Sequence, residues 1–232
     1  MKFIVLKKGA LIALAAILCL GVAIGICCGA AAATTASTTA VREKVVVIDA
    51  GHGGMDAGVY GINTKTKESD INLALAKQLK GYFANAGFKV VMTRKTNAGL
   101  YGAPTKGFKM RDMKKRKQII EESGADMVIS IHQNFCPIPS KRGGTVFFDK
   151  SSESGTELAQ CIQKELNGLN SDIKANEALA GDYYMLKCTQ SPSVIVECGF
   201  LSNTEDERLL TSSEHRKEIA YSIFKGAISY YS

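Results

Sequence analysis

Short runs of β-branched residues alternate with helical patterns along almost the whole chain after residue 40. Strands are predicted for KVVVID (44–49), FKVVMTR (88–94), DMVISIH (126–132), GTVFF (144–148), YYMLK (183–187) and SVIVEC (193–198). Several of these runs are apolar on both faces, which is typical of strands in a sheet that is covered on both sides. The alternation therefore predicts a single α/β domain with a twisted, mostly parallel central sheet flanked by helices on both faces.

Helices are predicted between these runs by apolar residues at helical spacing. In the first helix, Ile71, Leu75 and Leu79 share one stripe, and Gly87 is a stop signal. Further helices are predicted over residues 111–124, 154–169 and roughly 213–231. Because ligands of open α/β sheets bind just beyond the carboxyl ends of the strands, the residues at those ends are the candidates for a functional site.

The first forty residues differ sharply from the rest of the chain. MKFIVLKK carries three lysines, and residues 9–33 then run without a charge before the small polar stretch TTASTTA. This pattern predicts a signal peptide or an N-terminal membrane anchor plus a short linker over 1–40, and a folded domain over 41–232. The protein is therefore expected to be exported, and to contact the membrane through this segment if the segment is retained.

Charge and cysteine content narrow the possible partners. Three of the 29 Lys and Arg residues lie in the leader, which leaves 26 against 22 Asp and Glu, or about +4. This mild excess suits an anionic wall or membrane surface, and the absence of Trp and of any RNA-binding or helix-turn-helix pattern argues against nucleic acid as a partner. No CxxC pair occurs among Cys136, Cys161, Cys188 and Cys198, which are expected to be buried thiols, although a disulfide is possible.

A lone histidine lies among glycines directly after the first predicted strand, in IDAGHGGMDAGVYG (48–61). Three explanations are open: a phosphate cradle, a metal site with His52 as a ligand, or a tight turn. A phosphate cradle requires a helix that begins on the glycines, and commonly a lysine. Here the chain continues as a loop through MDAGVYGINTKTKES, so the phosphate explanation is the weakest.

Four residues with useful chemistry lie at or near strand ends. His52 follows the first strand, His132 ends the third, Glu197 lies in the last, and Glu68 opens the first helix. Taken singly, a histidine there is usually structural, and a glutamate at a helix start favours the helix dipole. Together, two imidazoles and one carboxylate are a known catalytic zinc ligand set, and a further carboxylate supplies a base. A purely structural role is least expected for Glu197, because its strand is otherwise apolar and a carboxylate seldom lies in such a strand without a partner.

Four segments in this order resemble the successive motifs of the zinc-dependent N-acetylmuramoyl-L-alanine amidases of bacterial cell walls. They are VVVIDAGHGGMDAG, KESDINLALAKQLKGYFANAGFKVVMTR, RKQIIEESGADMVISIHQN and SVIVECGFLSN, and the resemblance covers residues 44–231. The stretch APTKGFKMRDMKKRKQ and the lead-in YYMLK are most similar to the germination-specific amidases of spore-forming bacteria. Phe135 departs from the pattern, since many members carry alanine there.

The resemblance implies a mechanism on named residues. His52, Glu68 and His132 would hold one Zn²⁺ per chain, and Glu197 would take a proton from water and pass it to the departing amine. The bond cut would be the amide between the lactyl group of N-acetylmuramic acid and L-alanine of a peptidoglycan stem peptide. The germination-specific subgroup further implies a role in spore cortex maturation, with muramic-δ-lactam formation, and in germination.

Four other residues are weaker candidates for the site. Asp49 and Asp56 flank the histidine loop, and either could orient His52 or simply form a turn. Asn134, two residues after His132, is a candidate for substrate binding. Arg116 lies where the family carries an arginine, and a structural ion pair is expected there.

Two other functions remain open on the sequence. A zinc carboxypeptidase uses a similar ligand set but needs a cation for the substrate's terminal carboxylate, for which Arg94 and Arg116 are the nearest candidates. A wall-binding regulator that has lost catalysis is the second alternative. The basic segment 106–117 either grips acidic peptidoglycan or forms a solvated helix face, and an accessory protein is a possible further partner.

Overall fold

A six-stranded sheet lies at the centre of the residues that this computed structural model describes, 42–169 and 173–232. Its strands are β1 (Val45–Ala50), β2 (Lys89–Met92), β3 (Met127–Asn134), β4 (Thr145–Phe148), β5 (Leu179–Ala180) and β6 (Ser193–Phe200). Their order is β2-β1-β3-β6-β4-β5, and all neighbours are parallel except β4 and β6. The mostly parallel sheet confirms the predicted fold class.

Helices cover both faces of this sheet. They are α1 (Glu68–Asn85), α2 (Phe108–Ser123), α3 (Glu153–Asn167), α4 (Thr204–Thr211) and α5 (Ser213–Ser229). Helices α1 and α3 both pack on α5 over one face, while α2 and a 3₁₀ helix over Tyr184–Lys187 cover the other. The sheet is therefore a middle layer, as the doubly apolar strands predicted.

The central strand β1 shows why the sheet needs both covers. All six of its residues are buried. Val46 and Ile48 pack into the core cluster on the α1 face, whereas Val47 packs into the cluster on the α2 face. Because each fully buried Val or Ile contributes roughly 1.5–3 kcal/mol, β1 is held firmly, and the loop that follows it begins from a fixed point.

Some predicted elements differ from those in the structure. YYMLK was predicted as a strand, but Tyr184–Lys187 forms the 3₁₀ helix, and the strand at that edge of the sheet is Leu179–Ala180 instead. Helix α2 begins at Phe108, three residues before the prediction, and α4 was not predicted. Its start is nevertheless visible in the sequence, since Asn203 caps the backbone N–H groups of Glu205 and Asp206.

The predicted leader over 1–40 lies outside the described residues. Among the helices that are described, none is long and apolar enough to span a membrane. The four cysteines after the leader are free thiols, and Cys188 and Cys198 are buried as expected. Cys136 and Cys161 are only half-buried, so the prediction of buried thiols is wrong for these two.

Candidate metal centre and catalytic cavity

Three neighbouring strands bring chemistry-bearing residues to one edge of the sheet. His52 follows β1, His132 lies near the end of β3, and Glu197 lies in β6 directly opposite His132 in the strand register. Side chains at matching positions of parallel neighbours point to the same face. All three line a cavity of about 300 Å³ at the carboxyl end of the sheet.

A cluster that could hold a metal ion is formed by His52, Glu68 and His132. Each offers one ligand atom, and these atoms all lie within 4.8 Å of one another. The Oε1 atom of Glu68 is 3.2 Å from Nε2 of His52 and 3.0 Å from Nδ1 of His132. Two imidazole nitrogens and a buried carboxylate that converge on one point are a donor set suited to a divalent transition-metal ion.

Glu68 is fixed by the start of α1 and by the loop before it. Its side chain is 2% exposed and accepts hydrogen bonds from the backbone N–H groups of Val59, at 2.9 Å, and Gln133, at 3.1 Å. Gly58 has a positive φ of 69°, and a Cβ atom there would collide with the Glu68 carboxylate. Glycine at 58 thus lets the loop wrap closely around this carboxylate.

The His52 loop holds the imidazole through its other nitrogen. Nδ1 of His52 lies 2.9 Å from Oδ2 of Asp56, which leaves Nε2 facing Glu68. The backbone of His52 is left-handed, with φ of 59°, a conformation that costs a non-glycine residue about 1 kcal/mol or more. The adjacent Gly51 packs so closely on the His132 ring that a Cβ atom would not fit.

Arg116 of α2 holds the His52 loop in place through buried hydrogen bonds. It is 2% exposed and donates to the carboxylates of Asp49 and Asp112, at 2.5 and 2.6 Å, and to the backbone oxygen of His52, at 2.6 Å. Burial alone would raise the pKa of Asp49, but the Arg116 guanidinium and two hydroxyl donors lower it to about 2. Asp49 therefore acts on the loop through Arg116, whereas Asp56 contacts His52 directly.

The charges of the cluster stabilise each other. Burial would lower the pKa of His52, but hydrogen bonds and charge from Asp56 and Glu68 raise it to about 9. Burial would raise the pKa of the Glu68 carboxyl group, but the two imidazoles hold this pKa well below its usual value. Without a metal, the centre thus favours a proton on His52, which a bound cation must displace.

One oxygen of the Glu197 carboxylate lacks a protein partner in the described part of the chain. This oxygen, Oε2, is buried. Burial raises the pKa of Glu197, and the negative charge of Glu68 adds to this effect while the two histidines oppose it. A buried carboxylate oxygen without a partner, beside a metal-type cluster, is suited to accept a proton from a bound molecule.

Three other residues lie outside the metal cluster. Asn134 does not line this cavity; it lines a neighbouring groove of about 840 Å³, and its side-chain oxygen accepts from the N–H of Phe135. His215 pairs with Glu218 on α5 and is not part of the cluster. Cys198 follows Glu197 but points into the core on the α1 face, as strand alternation predicts.

Three functional positions were not singled out from the sequence. Asp112, Lys109 and Tyr183 all line the cavity. Asp112 and Lys109 belong to the basic segment, most of which forms α2, and only their spacing from Arg116 along that helix could have indicated a shared face. Tyr183 precedes the 3₁₀ helix, and its mistaken assignment to a strand concealed its position.

Known proteins resemble this chain in both sequence and fold. Residues 46–229 match the family of N-acetylmuramoyl-L-alanine amidases. The germination-specific N-acetylmuramoyl-L-alanine amidase of Bacillus subtilis is 33% identical over 192 residues, which cover 81% of this chain and 80% of that protein. The amidase AmiA of Escherichia coli is 27% identical over 235 residues, covering 82% and 76% of the two chains.

Two solved structures agree with these sequence matches. The CwlD amidase of Clostridioides difficile, solved in complex with the GerS lipoprotein, has 35% identity and a TM-score of 0.77, covering 82% of this chain and 98% of that one. The catalytic domain of CwlV from Bacillus (Paenibacillus) polymyxa var. colistinus has 28% identity and a TM-score of 0.70, covering 81% and 98%. The chain therefore belongs to the N-acetylmuramoyl-L-alanine amidase family.

Proposed function

We propose that this protein is a zinc-dependent hydrolase of peptidoglycan. It cuts the amide bond between the lactyl group of N-acetylmuramic acid and L-alanine of the stem peptide. The observation that carries this proposal is the convergence of His52, Glu68 and His132 at the edge of a cavity that also holds an unpartnered Glu197. Membership of the amidase family supports the choice of bond.

The donor set supports zinc as the ion. Nε2 of His52, a carboxylate oxygen of Glu68 and Nδ1 of His132 would hold one Zn²⁺ per chain, since three protein ligands leave a position open for water or substrate. When bound, the ion supplies a Lewis acid that acidifies water and polarises the scissile carbonyl. Asp56 keeps His52 oriented by occupying its Nδ1 atom.

Glu197 moves the protons in this proposal. Glu197 lines the cavity, one of its oxygens is buried without a partner, and its raised pKa suits a group that first takes a proton from water and then donates it to the departing amine. A single carboxylate suffices for both transfers, because the proton gained in the first step is the one given up in the second. Cys198 has no part in the chemistry, because it is buried in the core and its pKa is raised by burial.

The relatives support a proposal for the biological setting. We infer a role in spore cortex maturation, with muramic-δ-lactam formation, and in germination, because a matched relative is a germination-specific amidase. We further infer that residues 41–232 are the catalytic domain, and that residues 1–40 direct it outside the cytoplasm as a signal peptide or membrane anchor. Since CwlD was solved with the GerS lipoprotein, an accessory protein is a reasonable partner here as well.

The carboxypeptidase alternative lacks an available cation at the predicted positions. Arg94 is 3% exposed and donates to the backbone oxygens of Ala50, Gly51 and Ser69. Arg116 is equally buried and is bonded to two carboxylates. The guanidinium groups of both residues are already hydrogen-bonded to groups of the protein around the His52 loop. Neither is therefore available to bind the terminal carboxylate of a peptide.

Product analysis tests the proposal. The full-length chain, purified in detergent, is incubated with isolated peptidoglycan with and without zinc, and the released products are identified by mass spectrometry. We expect intact stem peptides with a free L-alanine amine, in the zinc-loaded sample only. The His132→Ala chain is the control, and it should release none, because it lacks a metal ligand. Release of single carboxyl-terminal amino acids, or zinc binding without any cleavage, would contradict the proposal.

A further inference from the structure

Among the residues that the structure describes, one accessible lysine or arginine lines the catalytic cavity. Lys109, the second residue of α2, has a side chain that is 69% exposed, and its Nζ atom lies 3.2 Å from Oδ1 of Asp56. Arg116 is the other cation in the lining, but it is 2% exposed and bonded to Asp49 and Asp112. A ligand in this cavity therefore meets the ammonium of Lys109 rather than the guanidinium of Arg116.

The pairing with Asp56 does not prevent Lys109 from binding a ligand. An exposed ion pair is worth only up to about 1 kcal/mol, so the flexible lysine exchanges one carboxylate for another at little cost. Asp56 contacts Lys109 and Nδ1 of His52 through different oxygens. Binding of a ligand carboxylate by Lys109 is therefore compatible with an intact metal centre.

The order of the strands places Lys109 at one end of the cavity. His52 follows β1, while His132 and Glu197 lie in β3 and β6, and these three strands are successive neighbours in the sheet, about 4.8 Å apart. Lys109 lies beside Asp56 at the β1 end. At the opposite end, Tyr183 packs on Phe147 of β4 with ring centroids 5.3 Å apart. The cavity thus has a cationic end and an aromatic end, with the candidate catalytic residues between them.

The proposed substrate is equally asymmetric in charge, and this step rests on the proposed function. On the sugar side of the scissile bond no charge remains, because the carboxyl group of muramic acid is consumed in the amide. On the alanine side lies a peptide that carries carboxylates. An accessible ammonium matches the peptide side, whereas an aromatic ring suits an uncharged sugar face.

We propose that Lys109 binds a carboxylate of the stem peptide and so sets the direction in which the substrate lies in the cavity. The peptide then runs towards the β1 end, and the sugar lies towards Tyr183. Lys109 is a specificity-determining residue in this arrangement, since it contacts a part of the substrate that does not react.

The neighbouring groove offers a competing position for the peptide. Lys141 is exposed there, while Arg142 is bonded to Asp206. A peptide that ran across the β4 end would meet Lys141 or Lys174, which is also exposed in that groove, instead of Lys109. Lys141 is consequently a matched control, because it carries the same side chain in the adjoining groove.

The test uses two synthetic muramyl peptides that differ at one group. In one, the acidic residue after L-alanine has its free carboxylate; in the other, that group is the neutral carboxamide. We expect the zinc-loaded full-length chain to favour the carboxylate about two- to fivefold in KM, the range for one exposed ion pair. Lys109→Met should abolish this preference by raising KM for the carboxylate peptide, with zinc content unchanged, Lys109→Arg should retain the preference, and Lys141→Met should not alter it.

Binding to the Glu197→Gln chain, followed by calorimetry, gives a second readout that needs no turnover. The carboxylate peptide should bind more tightly than the carboxamide, and addition of Lys109→Met should remove the difference. Equal binding, a preference that survives Lys109→Met, or one that disappears with Lys141→Met would overturn the proposal. A loss of zinc in Lys109→Met would also overturn it, because the lysine would then act through Asp56.

Failure of the parent chain to cleave either peptide would contradict the proposed function instead. The binding comparison would still decide the role of Lys109.

Discussion

His52 is held in an unusual backbone conformation by partners on both sides. Asp56 fixes its ring, and Arg116 fixes its carbonyl oxygen, so that the left-handed φ is maintained despite its cost. Strain of this kind is typical of functional sites, where surrounding contacts determine a geometry that the residue alone would avoid. The result is an imidazole whose Nε2 atom points at Glu68.

At the residue scale, the sequence could predict the chemistry but not every partner. His52, His132 and Glu197 stand out because parallel strands present their carboxyl ends at one edge. Asp49 and Asp56 are almost equally distant from His52 along the chain, so no local pattern distinguishes the aspartate that contacts its ring. That distinction depends on the path of the glycine-rich loop and on Arg116, which arrives from 64 residues further along the chain.

Replacement of Glu197 tests its proposed role in proton transfer. Glu197→Gln keeps the shape of the side chain but removes the basic oxygen, so the rate of amide hydrolysis should fall at least about a hundredfold. Zinc content and thermal stability should be unchanged, because Glu197 is not in the ligand cluster. Glu177→Gln is the matched control, since this exposed residue lies in the neighbouring groove, and it should keep full activity. Near-normal turnover by Glu197→Gln would refute the assignment.

At the element scale, the apolar pattern predicts the observed strand or helix where one period dominates. Strands β1, β3 and β6 follow their doubly buried runs, and α1 follows its apolar stripe. The strand prediction for YYMLK was wrong because a short apolar run has the same pattern in a strand and in a turn that packs on the sheet. In the structure Met185 and Leu186 are buried against the α2 face of the sheet, while Tyr183 and Tyr184 remain exposed at the cavity.

The Arg116 guanidinium of α2 is bonded to Asp49 of β1 and to the His52 loop, and this contact provides a prediction. Arg116→Lys keeps a positive charge but cannot reach Asp49, Asp112 and the His52 carbonyl together. We expect a loss of about 2–4 kcal/mol in the free energy of unfolding, because buried carboxylates and a carbonyl oxygen lose their donors. The affinity for zinc should also fall, since the His52 loop is released.

Urea unfolding and zinc titration measure these two effects. Arg208→Lys is the control, because Arg208 forms an exposed pair with Glu205 and such pairs contribute little. It should change the free energy of unfolding by less than about 0.5 kcal/mol. If Arg116→Lys were as stable as this control and bound zinc normally, Arg116 would not be securing the loop.

At the scale of the whole molecule, the alternation of strands and helices was sufficient to predict the layered α/β fold. The strand order was not, because the position of a strand in the sheet depends on contacts between distant segments. The placement of β4 antiparallel beside β6, with Thr145 opposite Glu197, is one such contact. The location of the candidate site could be predicted better than the strand order. The carboxyl ends of parallel strands lie at one edge of the sheet whatever the order of the strands.

The stability of the metal-free protein should depend on pH through His52. Its pKa is raised from 6.5 to about 9 in the folded state, so the protonated imidazole stabilises the fold fully below pH 6.5. This contribution, at most about 3 kcal/mol, should be lost as the pH rises towards 9. Urea unfolding of metal-stripped protein at several pH values measures the loss, and His52→Gln should remove it. A pH-independent stability between 6.5 and 9 would contradict the proposed charge state of the cluster.

The most direct test of the account is a zinc titration of the metal-stripped full-length chain, with release of free-amine stem peptides followed at each step. If His52, Glu68 and His132 form one catalytic metal centre, release should rise from zero and reach its plateau at one zinc per chain. Full activity in the metal-stripped chain, or a plateau only at two or more zinc ions per chain, would contradict that claim.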